Sequence, residues 1–451
     1  MATKIKKTIK NIVFVVDYCA WILLFPCCFI GPIIAIPWIL TKRKIWRNSA
    51  KGNRKVLILL SVSLERIRNR GYEHLLPFRN PSINWIGILD PTNSLESKVK
   101  ITNDLYLITL KLPKIIKLMN NSGFVVTSII FRELIAIFRI TSYCAKKQIG
   151  VLRAARLDYP ALRACIVSIF IKIPFIVDIT GNYELIRRLT GKTFYLRKLN
   201  KIPFIRIFAR KLSDWLLGWP LRYAFRILGR NKNNYENAFA LGAPVDRLSL
   251  LRITNFNAVF NSYNPKQPPA KPAEYPYILF VGRLAKINFP LDVLDAFNIA
   301  APQLPEYRLV IIGDGAIRND VEQRIECSEY KDRIIFMGTC PNDVVFNWTA
   351  RAKVAICPYS GATLVEAMLC GIPLIAYDIE WHSEIVIDDY TGYLVPFRNI
   401  AALAEKMVCV VHNYEEARAA GIRGRELARV AFDKEKIWKK ESMHYMQALS
   451  Q

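Results

Sequence analysis

Two series of short apolar strands alternating with helical patterns, separated by a proline-rich break, constrain this chain more than any other feature. The first series contains KVLILLSV from Lys55, INWIGIL around Ile83, LYLITL from Leu105, FVVTSII from Phe124, IGVLRAA from Ile149 and PFIVDIT from Pro174, with a helical pattern over 160–171. The second contains YILFV from Tyr277, a helix over 290–300, YRLVIIG, a helix over 316–327, RIIFMG, VAICP and PLIAYD. Short β-branched and aliphatic runs read as buried strands, and their alternation with helices predicts parallel sheets. Between the two series, the prolines of residues 263–276 break every periodicity, and the segment reads as a linker. The expected fold class is α/β, with two Rossmann-like domains, 53–262 and 277–432, facing a cleft. Residues 433–451 are expected to form a helix returning to the amino-terminal domain. A chain of 451 residues is long enough for two such cores.

Residues 1–52 form a separate unit, read as a membrane-associating hydrophobic segment with basic flanks. The apolar run at 12–40 exceeds a signal-peptide core and has no small-residue cleavage site. It is long enough to span a bilayer, but Asp17, Pro26, Gly31, Pro32 and Pro37 interrupt it. Lys4, Lys6, Lys7 and Lys10 precede it, and Lys42, Arg43, Lys44 and Arg47 follow. Positive flanks at both ends suit a re-entrant hairpin; a single span is the other reading. Across the chain, 64 Lys+Arg against 37 Asp+Glu leave a net charge of +27, which calls for an anionic partner. No nucleic-acid-binding signature is visible, and basic residues interleave with aromatics over 185–232, as in membrane-interface segments. The expected partner is therefore an anionic membrane surface, not nucleic acid. Ten scattered cysteines without zinc or disulfide spacing suggest free thiols in a reducing compartment. The expected location is membrane-associated, with the folded domains on the cytoplasmic face.

Three motifs in the second series carry chemistry, because an α/β sheet binds ligands at the carboxyl ends of its strands. In YILFVGRLAK, Gly282 permits close backbone approach and Arg283 is placed to grip a diphosphate. In LVIIGDGAIR, Gly313, Asp314 and Gly315 form a strand–turn–helix loop that suits a nucleotide but also reads as a plain tight turn. In CPYSGATLVEAMLCGIPLIAYD, residues Ser360, Gly361, Ala362, Thr363 and Leu364 open a helix whose amino end can hold an anion. Glu366, about one turn in, can accept hydrogen bonds from ribose hydroxyls. The helix ends at Gly371, with Pro373 beyond, and Glu384 follows in WHSEIVIDDYTGYLVP.

The ordered set FVGRL, IIGDG, IIFMG, SGATLVEAMLCGIPLIAYD and SEIVIDDYTGYLVP resembles the family-4 retaining glycosyltransferases of the GT-B fold, the group 1 type. The resemblance is strong over about 233–432 and rests on strand pattern alone before that. It implies metal-independent transfer from a nucleoside-diphosphate sugar with retention at the anomeric carbon, and no further cofactor. Arg283 looks like the family's diphosphate arginine, Glu366 is similar to its ribose glutamate, and 361–364 would lie beside the diphosphate. Three positions depart from the family. Its first glutamate is Pro358 here, and its diphosphate lysine is Asn288, with Lys286 nearby as a substitute. None of His74, His382, His412 and His444 occupies the family's first-domain histidine position. Asp178, Thr180 and Asn182 in VDITGNYE are the candidates to face the acceptor and the sugar.

The resulting expectation is a hexosyltransferase-type enzyme that moves a sugar to a membrane-associated, lipid-linked acceptor in glycan or surface-polysaccharide biosynthesis. A nucleotide-sugar epimerase, a phosphorylase, or a catalytically inactive membrane-bound scaffold of the same fold are the alternatives.

Overall fold

The computed structural model describes residues 55–60, 80, 82–93, 97–111, 113–122, 125–191, 206–252 and 258–451. The apolar run at 12–40 and its basic flanks lie outside the described residues. No described helix is long and apolar enough to cross a membrane.

The amino-terminal sheet holds eight strands: β1 Lys55–Leu59, β2 Trp85–Asn93, β3 Ser97–Lys100, β4 Leu105–Lys111, β5 Val151–Ala154, β6 Phe175–Ile179, β7 Arg226–Gly229 and β8 Leu248–Leu250. Their order is β3-β4-β2-β1-β5-β6-β7-β8. The edge strand β3 runs antiparallel to β4, and every other described pairing in this sheet is parallel. Alternation along β1 explains why this sheet is sandwiched. Leu57 and Leu59 face one core, Val56 and Ile58 the other, and all four are fully buried, as expected when helices cover both faces.

The carboxy-terminal sheet comprises β9 Tyr277–Val281, β10 Arg308–Ile312, β11 Ile334–Gly338, β12 Val354–Cys357, β13 Leu374–Asp378 and β14 Tyr393–Pro396. Its order, β11-β10-β9-β12-β13-β14, is wholly parallel. Counted from its own first strand this is the 3-2-1-4-5-6 winding of a Rossmann domain. The order reverses between β9 and β12, so the crevice at their carboxyl ends is the topological switch point.

One expected strand is a helix. FVVTSII opens the Val125–Lys147 helix. Its β-branched run imitates a strand, but Ala136, Ile140 and Cys144 recur every fourth residue and are fully buried, the spacing of a helix face. The same helix exposes Phe131 and Leu134. In the basic aromatic segment, the Arg206–Tyr223 helix buries Leu217 and Leu221 in the amino-terminal core, while Ile207, Trp215 and Tyr223 stay exposed.

The chain passes between the domains twice. Phe260 and Tyr263, just ahead of the proline-rich stretch, already pack in the carboxy-terminal core beside Trp348 and Phe432. After Phe432, the Lys434–Leu449 helix lies against the amino-terminal sheet, burying Ile437, Tyr445 and Ala448 with Val56 and Ile58. Arg153, 2% exposed on β5, fastens it. Its guanidinium pairs with Asp178 at 2.9 Å and Glu441 at 2.6 Å and donates to the Tyr445 hydroxyl at 2.6 Å. Arg230 reaches the same Asp178 carboxylate at 2.6 Å, and Asn80 donates to Glu441 at 3.2 Å. Burial alone would raise the Asp178 carboxyl, but the Arg153 and Arg230 guanidiniums hold it below the usual carboxylate range.

Removing one member of such a buried set strands the others. Arg153→Met is expected to lose about 3–5 kcal/mol of stability in urea titrations at pH 7. Because the Asp178 carboxyl is depressed in the folded state, its contribution is complete above about pH 4 and fades as pH falls further. The gap between wild type and variant should narrow in acid, and a gap that widens there would contradict this assignment.

Candidate functional site

Arg283 follows β9 and is exposed, and it has no ion-pair partner among the described residues. Lys286, also exposed, begins the short Lys286–Asn288 turn beyond it. Across the switch point, the loop after β12 leads into the Ala362–Cys370 helix. That helix starts at Gly361 without a side-chain cap, so no side chain at its cap position meets the N–H groups of its first turn. A Cβ at Gly361 would meet nothing within 4 Å, so open space faces this corner. Two exposed cations and an uncapped helix amino end thus follow the carboxyl ends of the neighbouring strands β9 and β12, a combination suited to a diphosphate. Thr363 is half-buried. Leu364 is fully buried, so only its backbone belongs to the crevice. Glu366 is half-buried one turn in, beside Thr363, Cys357 and Val281.

The loop that presents Ser360 and Gly361 is held from three sides. Asn288 donates from Nδ2 to the Tyr359 carbonyl at 3.1 Å. The Tyr359 hydroxyl donates to Glu380 at 2.9 Å. His382 is fully buried, with Nδ1 2.9 Å from the Tyr377 carbonyl and Nε2 3.3 Å from the Ser360 N–H. Nε2 also lies 3.2 Å from the Ser360 carbonyl. Burial lowers the His382 pKa and keeps the ring neutral. The histidine thereby ties the end of β13 to the loop after β12.

Several residues that the motifs single out are engaged in structure. At Gly313 (φ 146°) a Cβ would lie 1.8 Å from the Gly282 carbonyl oxygen, and at Gly315 one would lie 2.2 Å from that of Leu284. Both glycines let the loop after β10 close against the loop after β9, where Leu284 N–H donates to the Asp314 carbonyl at 3.0 Å. The exposed Asp314 side chain accepts from the Gly315 N–H at 2.7 Å and from Arg318 at 3.3 Å. Asn288 is spent on Tyr359, as described. Asp178, 1% exposed, sits in the Arg153 set and does not reach the surface. Thr180 is exposed at the carboxyl end of β6. Asn182 caps the Tyr183–Thr190 helix, accepting from the Leu185 N–H at 2.8 Å, and donates to Asn233 at 3.0 Å.

Glu384 joins the two domains. Its carboxylate accepts from the Asn233 N–H at 3.1 Å and pairs with Arg252 at 2.6 Å. Leu185 and Leu189 of the amino-terminal domain pack against the carboxy-terminal core close by. Asn233 and Arg252 lie beyond β7 and β8, and Glu384 lies beyond β13, so the two sheets turn their carboxyl ends toward one another. The motif string contains His382 and Glu384, but their partners are backbone atoms or residues of another domain; Glu380 lies between the quoted motifs and meets a tyrosine 21 residues away, and no local pattern signals any of the three.

With this geometry in view, residues 264–427 match the family described as Glycosyl transferases group 1. The N-acetyl-alpha-D-glucosaminyl L-malate synthase of Bacillus anthracis is 26% identical over 164 residues, covering 36% of this chain and 42% of that protein. The poly(ribitol-phosphate) alpha-N-acetylglucosaminyltransferase of Staphylococcus aureus is 26% identical over 216 residues, covering 47% and 44%. The chain therefore spans less than half the length of either relative. Among solved structures, HepE of Anabaena, crystallised with UDP and glucose, superposes with a TM-score of 0.61 at 12% identity over 86% of this chain and 98% of that one. The group 1 resemblance drawn from the motifs holds, and the two-domain α/β fold is shared with HepE.

Glu380 offers a test of how the loop is held. Burial raises its carboxyl from 4.5 to about 7, against the lowering effect of the Tyr359 hydrogen bond. Between those values the folded state holds a proton that the unfolded chain has released, so stability should fall as pH rises through this window. Glu380→Gln is expected to flatten that fall in thermal melts recorded from pH 4.5 to 8. An unchanged profile would place Glu380 in water.

Proposed function

We propose that this chain is a retaining, metal-independent glycosyltransferase that takes a hexose-type sugar from a nucleoside-diphosphate donor to a membrane-associated, lipid-linked acceptor in glycan or surface-polysaccharide biosynthesis. The observation that carries the reading is the meeting, at the switch point, of Arg283, the uncapped Gly361 helix end and Glu366. In this reading Glu366 accepts from the ribose hydroxyls and the helix N–H groups meet the diphosphate. As the bond from the anomeric carbon to the diphosphate breaks, negative charge grows on the leaving oxygen. Arg283, Lys286 and the helix dipole stabilise it without reorganising. The acceptor hydroxyl forms the new bond on the face that the leaving group vacates, and its proton passes to the departing phosphate oxygen. The UDP bound to HepE supports the donor class, and the S. aureus relative's name supports a surface-polymer setting.

The membrane side of the proposal rests on charge and exposed apolar groups. The chain carries +27, and the amino-terminal domain exposes Leu118, Phe131, Leu134, Ile207 and Trp215. An anionic leaflet fits both, and in this reading the folded domains stand on the cytoplasmic face.

Arg283→Ala is expected to lower kcat by about 100- to 1000-fold, with Glu366→Ala acting chiefly through a raised KM for the donor. A screen of UDP- and GDP-sugars with membrane extract as acceptor supplies the assay. Unchanged turnover in both variants would overturn the proposal, and nucleotide binding without any turnover by the wild type would favour the inactive scaffold.

A further inference from the structure

A second cavity, of about 1000 Å³, opens at the other edge of the carboxy-terminal sheet. Its wall includes Tyr277, Ala352, Lys353 and Pro373, at the amino ends of β9, β12 and β13. The donor crevice lies at the carboxyl ends of these strands. With about 3.3 Å of rise per residue, the two sites are roughly 15 Å apart through the sheet. The proline-rich stretch and the Tyr414–Ala431 helix complete the wall. Along it stand seven basic side chains against three carboxylates.

At its base is Arg425, only 6% exposed. One guanidinium nitrogen donates to the Tyr263 carbonyl at 2.6 Å. The other, Nη1, and Nε are buried and have no hydrogen-bond partner among the described residues. Unmet buried donors on a cation are costly, and structures that keep them usually supply an acceptor. No carboxylate among the described residues takes that place. Burial and then the neighbouring Arg429 lower the Arg425 pKa, while the Glu426 carboxylate opposes this more weakly. Arg351 is likewise turned to the linker, donating from Nε to the Pro269 carbonyl at 2.6 Å. The cavity is thus a cationic chamber with a buried arginine in its lining that keeps two guanidinium N–H groups unmet among the described residues, in a volume typical of small-molecule sites.

We propose that this cavity binds a phosphate-bearing ligand, with Arg425 at its base and Lys353, Arg418 and Arg429 along its wall. Phosphate oxygens are the acceptors that a guanidinium cluster recognises best. Such a ligand would also pin the linker to the carboxy-terminal domain, since the linker forms one side of the chamber. The proposal does not rest on the donor reading, because the two sites share no residue.

The test uses the full chain and inorganic phosphate, titrated by calorimetry. Wild type and Arg283→Ala are expected to bind alike. The rim variant Arg418→Gln/Arg429→Gln, which alters only exposed side chains, should bind at least about tenfold more weakly, and Arg425→Gln should act in the same direction. Sedimentation with phosphatidylglycerol vesicles, against phosphatidylcholine vesicles, separates the sources. Weaker pelleting of the rim variant with phosphatidylglycerol, relieved by free phosphate in the wild type, marks a lipid headgroup. Equal pelleting with impaired phosphate binding marks a soluble ligand. Phosphate binding that is absent, or that Arg283→Ala abolishes and the rim variant leaves intact, would overturn the proposal.

Discussion

The Arg153 guanidinium joins the amino-terminal sheet to the helix that ends the described chain. It lies near the centre of one sheet yet answers two carboxylates far apart in sequence, Asp178 on the neighbouring strand and Glu441 on the Lys434–Leu449 helix. Desolvating a cation completely is tolerable only when the acceptors around it are complete, and here Asp178, Glu441 and Tyr445 supply them. The consequence is architectural. The carboxy-terminal domain is tied to its partner at the linker and again through this helix, and Glu384 adds a third contact at the cleft. Relative motion of the domains must accommodate all three.

The same economy shapes the crevice. Two exposed cations and an uncapped helix end stand at its strand ends, while Asn288, Glu380 and His382 nearby are spent on keeping the loop in place. Asn288, Glu380 and His382 each grip the short loop before the Ala362–Cys370 helix, and the Gly313 and Gly315 turn closes on Gly282 and Leu284. A helix end aimed at a ligand needs such support, because backbone donors cannot adjust as side chains do.

Much of this was legible in the residues and some was not. The alternation of strands and helices exposed both sheets, since parallel strands buried on two faces are apolar throughout. FVVTSII misled because a β-branched run has no period of its own, and the helix showed only in the later spacing of Ala136, Ile140 and Cys144. Arg283 and the Gly361 turn stand out locally, because the role proposed for each follows from position at a strand's end. Asp178 carries the same signature, and only the arrival of Arg153 and Arg230 from other strands removes it from the cleft. The glycines of the Gly-Asp-Gly turn look alike whether they make room for a nucleotide or for another loop. Pairings between domains, such as Glu384 with Arg252, have no trace in local sequence.

The returning helix also sets an order in time. Residues emerge from the ribosome from the amino terminus onward, and domains generally fold as they appear. Here the Glu441 and Tyr445 that complete the surroundings of Arg153 are made after the entire carboxy-terminal domain. The amino-terminal of the two domains is therefore the later to be finished, and the part of its sheet face that Ile437, Tyr445 and Ala448 cover must wait while some 200 further residues are added.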